Sequence, residues 1–295
     1  MSDNMEIYKE IGQAMQTYPI PVVPTLSSVS TCTSLIKGFT DQGNFYFTDE
    51  VNLGRALGKL LGRPRVFEIS EDVKGYDRAG IEMIVKGYSG PLPAHAVKNV
   101  LEKAGFEFPP QEEAASFEEL TAACKTIDYP LALKILGPLH KSDLGGVRLN
   151  VTTAEKVEQT WKELMSIKGA QGVMVQKMVE GTEVIFGASR AEKIGHLVMF
   201  GLGGIYTEIL KDVRFGLAPL AAQECLDMVT GIQAYPILQG IRGQEGISVD
   251  ILAGYIERLS RLVYDFPAIS EIDINPLKGT GSNLYVIDAR IIMDR

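Results

Sequence analysis

The chain has 295 residues, enough for one large domain or two ordinary ones with a sizeable core. Hydrophobic residues make up 45% and charged residues 22%, a globular composition that excludes a disordered chain. Lys and Arg total 29 against 37 Asp and Glu, and the resulting net charge of -8 argues against general nucleic-acid binding. No apolar run reaches the length of a membrane span, so no membrane association is expected. The N-terminal Met1-Ser-Asp-Asn lacks a basic cluster followed by an apolar core, so no signal peptide is expected either. Cys32, Cys124 and Cys225 lie far apart without a CxxC, which argues against a disulfide framework or structural zinc. Only three histidines occur, His95, His140 and His196. The expectation is a cytoplasmic protein.

The first 70 residues read as strand (Ile20 to Val23), helix (Ser28 to Phe39), strand (Phe45 to Phe47) and helix (Asp49 to Leu61). Val51, Leu53, Leu57, Leu60 and Leu61 form the apolar positions of the last helix. Such alternation predicts a parallel α/β unit, but two strands are too few to stand as a sheet alone. Residues 62 to 92 are rich in Gly, Pro and mixed charge and read as a linker.

A helix is predicted from Pro93, with Ala94, Val97, Val100, Leu101 and Ala104 on one face and Gly105 closing it. Ser116 and Glu119 have capping-box spacing before a second helix, and Thr152 and Glu155 before a third, running to Ser166. Strands are predicted at 131–136, 148–151, 172–179, 183–190, 196–202, 271–277 and 283–291, and further helices at 221–234 and 249–266. Strands that follow one another without helices between them pair antiparallel, so this part reads as α+β rather than as a simple dinucleotide-binding domain.

Lys134 falls on the strand face opposite Leu131, Leu133 and Ile135. It is either a solvated strand lysine or an ammonium that reaches a phosphate from a rigid strand. The loop His140-Lys-Ser-Asp-Leu-Gly-Gly-Val147 follows. Gly145 and Gly146 let backbone N–H groups approach an anion, and Lys141 and Ser142 add donors. His140 sits in this polar loop, where an unperturbed imidazole is largely neutral and nucleophilic at pH 7. Glu183 opens a strand after Gln176-Lys-Met-Val-Glu-Gly181. Glu208 and Asp212 are four apart and share one side of any helical turn, while Arg214 either binds phosphate or pairs with Asp212. In Glu271-Ile-Asp-Ile-Asn-Pro276, alternation puts Glu271, Asp273 and Asn275 on one face and Ile272 and Ile274 in the core. Asp288 lies within an apolar run and needs a partner or a metal if buried. Asn275 and Asp288 suit magnesium, which uses few protein oxygens and completes its shell with water and phosphate. The blander reading of Asp288 is a contact with Arg290 or a lysine.

Residues from about 90 to the end resemble the ATP-grasp domain of the NDP-forming acyl-CoA synthetases, the acetate–CoA ligase (ADP-forming) family. The segments carrying the resemblance are Tyr129-Pro-Leu-Ala-Leu-Lys134, His140-Lys-Ser-Asp-Leu-Gly-Gly-Val147, Phe200-Gly-Leu-Gly-Gly-Ile-Tyr-Thr-Glu-Ile-Leu-Lys-Asp-Val213, Leu217-Ala-Pro-Leu220, and Glu271-Ile-Asp-Ile-Asn-Pro-Leu277 with Val286-Ile-Asp-Ala-Arg290. Residues 1 to about 65, with Tyr18-Pro-Ile-Pro-Val-Val and Phe45-Tyr-Phe-Thr-Asp-Glu, look like the tail of the ligase domain that precedes it in fused members. The resemblance implies a partial parallel α/β segment over 1–70 and an ATP-grasp nucleotide-binding domain over 71–295.

It also implies the reaction acid + ATP + CoA ⇌ acyl-CoA + ADP + phosphate, through an acyl phosphate and a phosphohistidine. Lys134, Lys141, Ser142, Gln176, Glu183, Glu208, Asp212 and Arg214 would surround the nucleotide, with Gly145 and Gly146 covering its phosphates. Asn275 and Asp288 would hold Mg2+, and His140 would relay the phosphoryl group. Nothing in the chain resembles a CoA-binding domain. The implied partner is therefore a CoA-binding alpha-type subunit, or missing N-terminal domains, in a hetero-oligomer. Another ATP-grasp carboxylate ligase without a histidine relay and a nucleotide-sensing module remain the alternatives.

Overall fold

The computed structural model describes residues 3–19, 21–26, 33–61, 68–70, 72–137, 145–191, 193–204, 212–240 and 245–294. His140, Lys141, Ser142 and Glu208 lie outside the described residues. Contacts divide the chain into two units, one of residues 1–68 with 192–194 and one of 69–191 with 195–295.

The first unit holds helices Asp3–Thr17, Thr33–Asp41 and Glu50–Leu61. The helix Asp3–Thr17 has no counterpart among the predicted elements. Among the described residues the strand expected at 20–23 is absent, and the one expected at 45–47 is reduced to a parallel bridge from Phe47 to Thr25. Two backbone hydrogen bonds make it, Leu26 N to Phe47 O at 2.8 Å and Phe47 N to Pro24 O at 2.9 Å. Pro19, Pro21 and Pro24 cannot donate to a ladder, which is why no longer strand forms there. Asp49 begins the third helix by accepting the Asn52 N–H at 2.7 Å. Its apolar stripe stays open, with Val51 63%, Leu57 41% and Leu60 66% exposed.

The second unit is built on two antiparallel sheets. Its strands in chain order are β1 (Gly90–Pro91), β2 (Gln111–Ala114), β3 (Leu131–Leu136), β4 (Val147–Val151), β5 (Gly172–Lys177), β6 (Thr182–Ala191), β7 (Gly195–Leu202), β8 (Val213–Leu217), β9 (Ile269–Thr280), β10 (Asn283–Val286) and β11 (Ala289–Met293). The small sheet runs β2-β5-β3-β4 and the large one β1-β11-β9-β6-β7-β8, with β10 also on β9. The predicted antiparallel α+β reading therefore holds.

Each sheet has its own core. Leu131 and Leu133 of β3 and Val173 and Val175 of β5 pack under the helices Phe117–Thr126 and Ala154–Met165, through Leu120, Ala123, Val157 and Leu164. The first helix is capped as predicted, with Glu119 N donating to Ser116 Oγ at 3.2 Å. The second is capped by Thr153, one residue later than predicted, at 3.3 Å from Lys156 N. The large sheet packs Val184, Phe186, Val198, Phe200, Ile272 and Ile274 against the helix Val249–Asp265. Leu252, Ile256, Leu259 and Val263 recur at helical spacing on that helix and are fully buried.

The expected linker 62–92 contains a helix, Arg78–Val85, which buries Ile81 completely. Asp77 caps it by accepting the Gly80 N–H at 2.9 Å. A Cβ at Gly80 would lie 2.5 Å from the Asp77 carboxylate, so the residue that looked like a breaker is the one the cap requires. The single strand expected at 283–291 divides into β10 and β11. Among the described residues, no helix is long and apolar enough to cross a membrane.

Candidate functional site

β3 and β5 of the small sheet carry Lys134 and Gln176, both on the face away from that sheet's core. Lys134 is 5% and Gln176 2% exposed. Both reach one atom, the carbonyl oxygen of Ile287, in the short link between β10 and β11 of the large sheet. Lys134 Nζ donates to it at 2.6 Å and Gln176 Nε2 at 3.3 Å. Gln176 Nε2 also donates to Gln111 Oε1 at 2.7 Å, which fixes the amide from β2. A buried ammonium needs such an acceptor, and the Ile287 carbonyl supplies one.

Ile287 adjoins Asp288. The Asn275 N–H donates to the Asp288 carbonyl at 3.0 Å, so the two expected magnesium ligands are neighbours, one on β9 and one in the β10–β11 link. Register explains how Asn275 arrives there. Val184 pairs Leu277 while Phe186 pairs Ile274, so one residue of β6 faces two of β9. This bulge lets both Ile274 and Leu277 enter the core and leaves Asn275 exposed. Asp288 is exposed and its Oδ1 accepts the Ala289 N–H at 3.1 Å. Asp288 forms no ion pair among the described residues, because Arg290 turns to Glu271 at 2.5 Å. Asp273 stands close by. Burial pushes its carboxyl up, Arg290 draws it down, and the Glu271 and Asp288 carboxylates push it further up.

Glu183 lies at the start of β6, opposite Lys278 of β9. Lys278 Nζ is 3.1 Å from Glu183 Oε1. The Gly203 N–H donates to the Glu183 carbonyl at 2.7 Å. Gly203 must be glycine here, since a Cβ would come within 2.9 Å of the Glu183 backbone.

Lys134, Gln176, Asn275 and Asp288 are thus gathered where the small sheet meets the large one, and Glu183 pairs Lys278, three residues along β9 from Asn275. Gly145 and Gly146 close the β3–β4 connection. Gly145 has φ of 65°, and Gly146 O accepts from Ile135 N at 2.8 Å. Asp212 and Arg214 do not pair. Both Asp212 carboxylate oxygens accept backbone N–H groups, from Gln233 at 2.9 Å and Ala234 at 2.6 Å. Arg214 donates to the Gly231 carbonyl, through Nε at 2.7 Å. Together these two residues hold the turn 231–234. Sequence reasoning missed Gln111, Asp273 as a neighbour of Asp288, and Lys278. Only Asp273 had a signal, its place between Glu271 and Asn275 on one strand face.

Among the described residues no three His, Cys, Asp or Glu side chains form a metal site. Asn275 and Asp288 fit magnesium all the same, as two exposed oxygen donors that leave room for water and phosphate oxygens to complete the shell. A groove of about 630 Å³ lies on the opposite face of the small sheet, against Phe117, Cys124, Tyr129 and Glu155. It holds none of these residues.

The ATP-grasp domain family matches residues 84–293. The chain is 37% identical over 218 residues to the acetate–CoA ligase (ADP-forming) I subunit beta of Pyrococcus furiosus, covering 70% of this chain and 94% of that one. It is 36% identical over 264 residues to the acetate–CoA ligase (ADP-forming) I of Archaeoglobus fulgidus, covering 84% of this chain and 38% of that longer one. Among solved structures it resembles the dinucleotide-forming acetyl-coenzyme A synthetase 1 of Ca. Korarchaeum cryptofilum with coenzyme A and Mg-AMPPCP, whose phosphohistidine segment points towards the nucleotide binding site. That likeness has a TM-score of 0.63 and 30% identity, and covers 74% of this chain and 99% of the other.

Proposed function

Because the chain belongs to the ATP-grasp domain family, and with it to the ADP-forming acetate–CoA ligases, we propose that it is the nucleotide-binding beta-type component of an ADP-forming acyl-CoA synthetase. The observation that supports this most is the convergence of Lys134 and Gln176 on the Ile287 carbonyl, directly beside Asp288. It joins a phosphate-binding strand to a metal-binding turn, as phosphoryl transfer requires.

Lys134 orients the nucleotide phosphates, and Glu183 and Gln176 help hold the nucleotide. Asn275 and Asp288 would hold magnesium, which when bound would neutralise the charge that develops on the phosphoryl group. His140 accepts the γ-phosphoryl group. The bond between the β- and γ-phosphates breaks, a phosphorus–nitrogen bond forms to the imidazole, and ADP leaves. A carboxylate oxygen of the acid then takes the phosphoryl group. The thiol of CoA displaces phosphate from the acyl phosphate and gives the thioester. Reacting atoms must approach to roughly 3–3.5 Å, so a covalent carrier is needed if nucleotide and acid are bound apart. The chain spans 38% of the longer single-chain relative. On this reading CoA is bound by an alpha-type partner subunit or by missing N-terminal domains. Residues 1–70 are the tail of the ligase domain and the linker, and 71–295 are the ATP-grasp domain. The protein acts in the cytoplasm, where ATP and CoA are found.

The test is reconstitution with a CoA-binding component. With ATP or acyl phosphate the complex should carry an acid-labile, alkali-stable phosphate on His140, mapped by mass spectrometry under alkaline conditions. His140→Ala should still bind nucleotide but lose exchange between ATP and acyl phosphate. Exchange by that variant at the wild-type rate would remove the relay.

A further inference from the structure

Glu183 is held at its carbonyl and at one of its two carboxylate oxygens. Its carbonyl accepts the Gly203 N–H at 2.7 Å. Its Oε1 meets Lys278 Nζ at 3.1 Å. Its Oε2 faces Gly204, where an added Cβ would come within 3.4 Å. Lys278 is its direct cross-strand partner, and the adjacent pair, Val184 and Leu277, is completely buried. The lysine backbone is fixed as well, because Gly279 leaves no room for a side chain, with a Cβ 1.8 Å from the Asn283 carbonyl. The Lys278 and Glu183 side chains are 24% and 36% exposed, so the pair is partly shielded from solvent yet reachable by a ligand.

We propose that Lys278 is a positioning residue, whose ammonium holds one carboxylate oxygen of Glu183 so that the other is presented to the bound nucleotide. The proposal rests on the reading that Glu183 contacts the nucleotide. A carboxylate at a strand start has several rotamers, and an opposite charge anchored on the paired strand selects one before the ligand arrives. Affinity gained this way comes from orientation and not from a contact between Lys278 and the ligand. Lys278 therefore acts only through Glu183, and this makes the idea separable from a plain phosphate-binding lysine.

The experiment measures Mg-ADP binding by calorimetry to the full chain and to E183Q, K278M, K278R and the double variant E183Q/K278M. We expect E183Q and K278M each to raise Kd by about tenfold. K278R should stay within about threefold of wild type, since it keeps the charge. The double variant should bind no more weakly than E183Q alone, as required of residues that act as one unit. The double variant leaves no unpaired carboxylate, so it remains informative even if K278M alone loses thermal stability. Wild-type affinity in K278M beside a weakened E183Q overturns the proposal and leaves the role of Glu183 intact. Multiplying effects in the double variant also overturn it, by showing that Lys278 acts independently. Unchanged binding in E183Q overturns the role of Glu183 and the proposal with it.

Discussion

At the scale of single residues, the proposed chemistry rests on oxygen donors and one ammonium brought to the link between β10 and β11. Asp288 is the sharpest case. It is exposed, forms no ion pair among the described residues, and is tied through its backbone to Asn275. A bound metal supplies several kcal/mol of charge stabilisation, and each ~1.4 kcal/mol is a factor of ten in rate. Asp288→Asn should therefore slow magnesium-dependent phosphoryl exchange by about 10²-fold while leaving the melting temperature nearly unchanged. Full activity of the variant at limiting magnesium would remove Asp288 from the site. Cys225 makes a contrasting prediction. It is fully buried, and burial, helped by the Glu257 and Glu224 carboxylates, pushes its thiol up to about 12. Only the thiolate reacts, so at pH 8 Cys225 should label with a thiol reagent at the rate of unfolding. Labelling of the native protein as fast as a free cysteine would contradict that burial. Lys134, Asn275 and Asp288 could be singled out in the sequence because alternation puts the first two on polar strand faces and the third interrupts an apolar run. Lys278 and Gln111 were not, because their roles depend on which strand pairs with which, and the β9 bulge shifts that pairing by one residue.

At the scale of elements, strands and long helices followed from periodicity, while short elements did not. The helix Arg78–Val85 spans eight residues, includes Gly80 and sits among turn formers, so its cap outweighs its weak helix propensity. Lys103 draws the Asp77 carboxyl below its ordinary 3.8, with help from the Gly80 N–H. A lowered folded value contributes stability above the unfolded value, and that stability is lost as pH falls through the lowered one. Asp77→Asn should accordingly lower the melting temperature at pH 7, and the difference from wild type should fade below about pH 4. A difference that grew on acidification would reverse the assignment. The long helix Val249–Asp265 carries the opposite kind of evidence. Leu259 is completely buried against the large sheet's core. Leu259→Ala should cost about 2–5 kcal/mol in urea unfolding. A loss under 1 kcal/mol would mean that this helix does not seal the core. The split of the expected strand 283–291 also belongs here. Residues 287 and 288 leave the ladder, and leaving it frees the Ile287 carbonyl for Lys134.

At the scale of the molecule, two sheets with separate cores meet at one cluster of polar groups, where the nucleotide site is proposed. The sequence carried this architecture through its motif order more than through composition. Its α+β character could be read from strands that follow one another directly. The first unit was less legible, because three prolines leave only a bridge where two strands were expected, and because the helix Asp3–Thr17 was not foreseen. The central claim is that this chain binds nucleotide with Lys134 on the phosphates, and calorimetric titration of the purified full chain with ADP tests it most directly. The account predicts saturable one-to-one binding that requires or is strengthened by magnesium, and that Lys134→Met weakens by about tenfold or more. Absence of saturable binding at millimolar Mg-ADP, or equal affinity in Lys134→Met, would contradict it.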